Sequence, residues 1–278
     1  MIKLLRIKYI LIFLILNKNK IMEYILISAT AFLVAILNFF SGFGLGTILT
    51  PAFMLFFPVK LAIALTAIVH LLNNLFKFFL VGKNASKEAL IKFGIPSVIF
   101  AFVGSYTLVH LNKLEAFYSY SFFGSEKQIY PINLTIAVIL FFFAILDLFP
   151  FLSKIKINKN KIWIGGILSG FFGGLSGNQG AFRSIFLLKA GLTKEAYIGT
   201  AVVCSIFIDL TRLSVYSNNF LISDIQSNIG LVGLAAISAM FGSYFGNKLL
   251  KKVTLKFIQV FVAIALIFLS VALGLGLI

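Results

Sequence analysis

Three features of this sequence point to an all-α polytopic membrane protein made of two inverted repeats. The composition is too apolar for a water-soluble globule, charge-free stretches of membrane-crossing length recur along the chain, and the two halves repeat one another. Of 278 residues, 60% are hydrophobic and only 12% are Asp, Glu, Lys or Arg, with 33 Phe and a mean hydropathy of +1.07. A soluble domain carries about twice that charged fraction. The net charge of +16 would suggest nucleic acid in a soluble protein. Here most lysines stand in short runs between apolar stretches, which is the pattern of positive-inside orientation, so no nucleic-acid partner is expected. One cysteine (Cys204) and two histidines (His70, His110), each inside an apolar run, offer neither a disulfide nor a metal centre, and no cofactor is expected.

The elements follow in order. Residues 1–21 hold Lys3, Arg6 and Lys8, an apolar run from Tyr9 to Leu16, and then Asn17-Lys18-Asn19-Lys20. That core is too short to cross a bilayer, which takes about 20 helical residues. The stretch reads as an N-terminal extension outside the folded repeats, and Met22 as the start of the first one. From Glu23 to Lys60 no charge occurs over 36 residues. One straight helix of that length would reach about 54 Å against a hydrocarbon core of about 30 Å. The run therefore folds back, and Gly42, Gly44 and Gly46 mark the break. A short second arm containing Pro51 makes it a helical hairpin, either spanning or re-entrant.

Further apolar segments cover 61–82, 89–111, 132–150, 162–190, 195–217, 228–247 and 257–277, which gives 8–10 hydrophobic segments in all. Segment 162–190 is broken again, at Gly173-Gly174-Leu175-Ser176-Gly177-Asn178-Gln179-Gly180. The halves share an ordered series of matching residues. At a spacing of 134, Gly46 matches Gly180, Lys60 matches Lys194, Thr66 matches Thr200 and Val69 matches Val203. At a spacing of 138, Ala101, Gly104, Ser105 and Tyr106 match Ala239, Gly242, Ser243 and Tyr244. The chain thus divides into a first repeat (22–150), a Lys-rich connector (151–161) and a second repeat (162–278), each repeat a broken hairpin plus three helices.

Five segments per half make the two halves inverted. With Met22 outside, the inner connectors carry Lys83, Lys87, Lys154, Lys156, Lys159, Lys161, Lys194, Lys248, Lys251, Lys252 and Lys256, against Lys60, Lys113 and Lys127 outside. Inverted halves with broken helices are the build of secondary transporters, in which half-helix starts aim partial positive charge at a midplane site. Gly44, Gly46, Gly177, Asn178, Gln179 and Gly180 are the candidate lining of such a site.

Ionisable groups inside the membrane are functional candidates. His70, Asn73, Asn74 and Lys77 form one helix face, and Ser205, Asp209, Arg212 and Tyr216 a second face in the equivalent helix of the other half. Asn74, Lys77 and Arg183 are the candidate substrate ligands. Asp209 and Arg212, three apart, are suited to pair with one another; with His70 they make a structural or coupling set. Lys77 has a competing reading, in which it snorkels to the cytoplasmic surface near Lys83. Gly174-Leu175-Ser176-Gly177 also reads GxSG, as in rhomboid-type intramembrane serine proteases. Both histidines precede Ser176, however, so no later base activates it, and a non-enzyme is expected.

At these residues the chain resembles the sulfite exporter TauE/SafE family of membrane permeases. The resemblance rests on Gly42-Phe43-Gly44-Leu45-Gly46 followed by Pro51, on 58–66 with Asn73-Asn74, and on 170–177 with Arg183-Ser184. It continues through 190–195, Gly199-Thr200 and Asp209-Leu210-Thr211-Arg212, and covers roughly 24–277. It implies a cell (inner) membrane permease for a small anion: sulfite, an organosulfonate, or another sulfur-containing or carboxylate anion. Asn178 and Gln179 stand where many members carry glycines with a proline. The expected partners are that anion, the lipid bilayer, and a proton or sodium ion for coupling. The competing classes are a passive anion channel and a non-transporting membrane scaffold.

Overall fold

A computed structural model of the chain describes residues 2–41, 44–148, 161–218, 222–249 and 256–278. Gly42, Phe43 and residues 151–160 and 250–255 of the two Lys-rich connectors lie outside the described residues. The first half comprises α1 (Ile2–Ser41), α2 (Leu45–Met54), α3 (Val59–Val81), a single turn α4 (Lys87–Ala89), α5 (Ile95–Leu111), strands β1 (Tyr118–Phe122) and β2 (Ser125–Ile129), and α6 (Pro131–Leu148). The second half comprises α7 (Ile162–Ser176), α8 (Gly180–Lys189), α9 (Lys194–Ser217), α10 (Ile222–Ser227), α11 (Ile229–Leu249) and α12 (Lys256–Gly274). Among the described residues, five helices are long and apolar enough to cross a membrane: Lys20–Phe39, Val59–Asn84, Lys87–Leu111, Lys194–Ser217 and Ile229–Lys248. Leu45–Met54, Pro131–Leu146, Ile162–Ser176 and Val262–Gly274 are apolar but shorter. The protein is an all-α polytopic membrane protein with a small β-hairpin among the described residues.

Both charge-free runs break where glycines interrupt them. Gly44 sits at φ 117°, in space closed to side chains, and α2 starts at the next residue. Gly177 ends α7 in the left-handed region at φ 84°, its N–H bonded to the Gly173 carbonyl, and α8 restarts at Gly180. Ten-residue arms such as α2 and α8 are about 15 Å long, half a bilayer core. α1 is continuous from Ile2 through Met22 to Ser41, so the boundary marked by charge at residue 21 falls inside a helix. Pro96 has no N–H to give its preceding turn, and a π turn at Leu90–Gly94 absorbs the mismatch ahead of α5.

The packing of the halves is reciprocal. α1 lies along α11, and its counterpart α7 lies along α5, the counterpart of α11. α3 crosses α9, and α6 packs on α12. The first arm of each hairpin is thus covered by the opposite half, and neither half closes its core alone. Small residues make this possible. On α7, Gly166, Gly170 and Gly174, spaced four apart, press on the carbonyls of Phe93, Ser97 and Ala101. Gly104 abuts the carbonyl of Phe171 as Gly242 abuts that of Phe32. Across the second break, Phe172 and Phe182 stack at 5.5 Å, and Phe143 of α6 meets both edge-on at 5.5 and 5.6 Å, which holds α7 and α8 together.

The β-hairpin is absent from the sequence reading. Its cue is the alternation Tyr118-Ser119-Tyr120-Ser121-Phe122, closed by Phe123-Gly124 at φ 48° and 76°, a two-residue turn of the primed type. The Tyr120 hydroxyl donates to the Leu275 carbonyl at 2.6 Å and ties the hairpin to the chain's last turn.

Candidate functional site

The polar faces of α3 and α9 meet, because these two helices pack against each other. His70, Asn73, Asn74 and Lys77 are all buried, as are Ser205, Asp209, Arg212 and Tyr216. Buried polar atoms need partners, and most of these have them. Asp209 Oδ2 accepts from His70 Nδ1 at 2.6 Å. Asp209 Oδ1 accepts from Arg212 Nε at 3.0 Å and lies 2.8 Å from Arg212 Nη2. Gln179 Nε2 donates to the same oxygen at 3.3 Å. One carboxylate therefore ties together the two halves and the second break.

Gln179 also faces the other way. Its Oε1 accepts from Arg183 Nη1 at 3.2 Å, and the same nitrogen donates to Ser205 Oγ. Arg183 lies one turn into α8 and is 2% exposed. Opposite it, Lys77 Nζ donates to Asn38 Oδ1 at 2.8 Å and sits 5.3 Å above the Phe39 ring. Lys77 is only 3% exposed, so it points inward and does not snorkel. Between these groups lies a small cavity of about 10 Å³, room for about one water molecule. Its polar lining is Asn38, Asn74, Lys77, Arg183 and Ser205, and its apolar wall is Ile198, Ala201 and Val202 of α9.

The two glycine breaks touch each other beside this site. Gly46 presses on the Gly177 carbonyl with no room for a methyl group between them. A β-carbon on Gly177 would stand 2.9 Å from Arg212 Nη1. Ser169 Oγ donates to the Gln179 carbonyl at 2.7 Å and fixes the break from α7. The Tyr216 hydroxyl donates to the Gly174 carbonyl, which also accepts from Ser105 Oγ at 3.3 Å.

Of the residues singled out from sequence, Asn74, Lys77 and Arg183 line the cavity, and Gln179 joins Arg183 to the Asp209–His70–Arg212 cluster. The glycines stand apart from it. Gly46 and Gly177 form the contact between breaks, while Gly44 caps α2 and touches the Ile48 side chain. Asn178 Nδ2 donates to Ser176 Oγ at 3.2 Å, and the Gly180 carbonyl accepts from Ser184 Oγ at 2.8 Å; neither residue borders the cavity. Asn38 was not singled out from the sequence, although it is the lone amide in the apolar arm before the first break. Ser205 was recognised as part of the α9 face but not as a site residue.

The chain matches the family described as sulfite exporter TauE/SafE over residues 27–273, nearly its whole length. Comparison with curated proteins and with solved structures gives no match.

Proposed function

Because the chain belongs to the sulfite exporter TauE/SafE family of membrane transporters, we propose that it is a secondary permease for a small anion in the cell inner membrane. The substrate class is sulfite, an organosulfonate, or another small sulfur-containing or carboxylate anion. The observation that carries this reading is the cavity where Lys77 and Arg183 meet beside Asn38, Asn74 and Ser205. A guanidinium keeps its charge at any relevant pH and presents a planar fork of donors matched to oxyanions. An ammonium opposite adds a second charge, and the apolar wall keeps water from competing.

Several features favour carrier over channel. The lining residues are almost wholly buried, which suits a carrier's occluded site better than an open pore. The reciprocal packing of α1 on α11 and α7 on α5 suits two halves that exchange conformations, which is the basis of alternating access in inverted repeats. No GxxxxGK[ST] loop occurs, so energy for uphill transport comes from a coupling ion, a proton or sodium. The link from Arg183 through Gln179 to Asp209 and His70 gives the substrate site a direct contact with ionisable groups that a coupling ion would use.

Purified protein in proteoliposomes tests this. A permease accumulates labelled sulfite, sulfonate or carboxylate against its gradient when a proton or sodium gradient is imposed. Flux that only equilibrates would make it a passive channel, and absence of flux for all these anions would leave a scaffold.

A further inference from the structure

We infer that a groove between α5 and α9 binds an anionic phospholipid, with an acyl chain in the groove and the phosphate on Lys83 and Lys87. The groove holds about 280 Å³. Leu90, Ile95, Val98 and Ile99 form one wall and Val203 and Phe207 the other, and no charged residue lines it. Its origin is local. The π turn at Leu90–Gly94 leads into α5, and Gly94, with no side chain, faces Cys204, whose Sγ would lie 3.5 Å from a β-carbon placed there. Both framing helices, Lys87–Leu111 and Lys194–Ser217, are long and apolar enough to cross the membrane. Ile95, Ile99 and Phe207 at the rim are each more than half exposed, so in a bilayer the groove opens toward lipid chains.

One end of the groove is basic. Lys87 stands one turn before Leu90 on the same helix face, and the preceding turn, Gly82–Asn84, carries Lys83. This connector is fastened to α9 just beyond the groove. The Ser86 N–H donates to Thr200 Oγ1 at 2.9 Å, and Gly199 packs on the backbone of Val81 and Ala85. Both lysines are exposed, and among the described residues neither makes an ion pair. The acid beside them, Glu88, is engaged by Lys92 at 2.6 Å. Two ammonium groups beyond the end of an apolar groove match a lipid phosphate above its chain. A zwitterionic headgroup would bring its own cation against them. The lipid seats against α9, the helix that carries Asp209 and Arg212.

Quenching of a tryptophan by brominated lipid tests this on the full chain in vesicles and needs no transported substrate, so its outcome is separate from the permease reading. The reporter is Phe207→Trp in a Trp163→Phe background; Val138→Trp in the same background, on an exposed position of α6, is the control. Vesicles of dibrominated phosphatidylcholine quench the reporter, and added unbrominated lipid restores fluorescence by displacement. At position 207 phosphatidylglycerol should displace about tenfold or more effectively than unbrominated phosphatidylcholine, the scale of two lysines at an anionic surface. At position 138 the two lipids should act alike. Lys83→Gln with Lys87→Gln should erase the preference at 207, and so should Gly94→Leu, which fills the groove. The surface lysine pair decides the matter if Gly94→Leu does not fold. Equal displacement at 207, a preference that survives either change in a folded protein, or the same preference at 138 would overturn the lipid site. Relief of quenching by glycerol phosphate would overturn it in favour of a soluble phosphate. Absence of quenching at 207 would overturn it in favour of a second copy of the chain covering the groove.

Discussion

The Asp209 carboxylate bridges the two halves of the molecule: one oxygen meets His70 of α3 at 2.6 Å, and the other meets Arg212 of its own helix at 2.8 Å. All three groups are buried, with Asp209 and Arg212 fully out of reach of solvent. A buried ion pair adds little net stability over an apolar substitute, but removing one partner leaves the other charge stranded. Asp209→Asn should therefore destabilise the fold by about 3–5 kcal/mol, because Arg212 then faces a neutral amide. His70→Gln removes one hydrogen bond and should cost only about 1 kcal/mol. Thermal unfolding followed by the fluorescence of Trp163, the single tryptophan, ranks the two variants. Equal losses would mean that the ion pair with Arg212 is not what holds Asp209 in place.

Arg183 separates function from stability. Arg183→Ala should abolish anion uptake while shifting the melting temperature by only a few degrees, on the order of a 1 kcal/mol change. Arg183→Lys keeps the charge and loses the planar fork, so uptake should persist with weaker substrate affinity. Near-native transport by Arg183→Ala would sink the assignment of this residue to the site.

Close helix contacts predict a contrast among glycines. Gly104 and Gly242 each abut a backbone carbonyl of the opposite half, whereas Gly233 of α11 has nothing within 4 Å of where a β-carbon would stand. Gly104→Ala and Gly242→Ala should each destabilise the protein by about 1–3 kcal/mol through overpacking. Gly233→Ala should be neutral, or stabilise by up to about 1 kcal/mol through its helix preference. Yields of monodisperse protein after heating steps report the ranking, and similar behaviour of all three would contradict the packing described for α1 on α11 and α5 on α7.

If the two halves are inverted, Glu126 of the β-hairpin lies outside and Lys161, ahead of α7, lies in the cytoplasm. In a Cys204→Ala background, a membrane-impermeant thiol reagent added to intact cells should label Glu126→Cys and spare Lys161→Cys. Labelling of both, or of neither, would defeat the inverted arrangement and favour a parallel duplication.

Much of this molecule is legible in local sequence because its causes are local. Freedom from charge over membrane length marks the spans, and glycine clusters mark the breaks, since only glycine accepts the φ of 117° at Gly44 and 84° at Gly177. Helical spacing alone puts His70, Asn74 and Lys77 on one face, and Asp209 and Arg212 on another. What spacing does not contain is the rotation and depth of one helix relative to its neighbour, which long-range packing sets. That packing turns Lys77 inward to Asn38, 39 residues away, and brings His70 to Asp209 across 139 residues. It also draws the cavity away from the glycines of the two breaks, because Gly46 and Gly177 close against each other, and leaves its lining to side chains on α1, α3, α8 and α9.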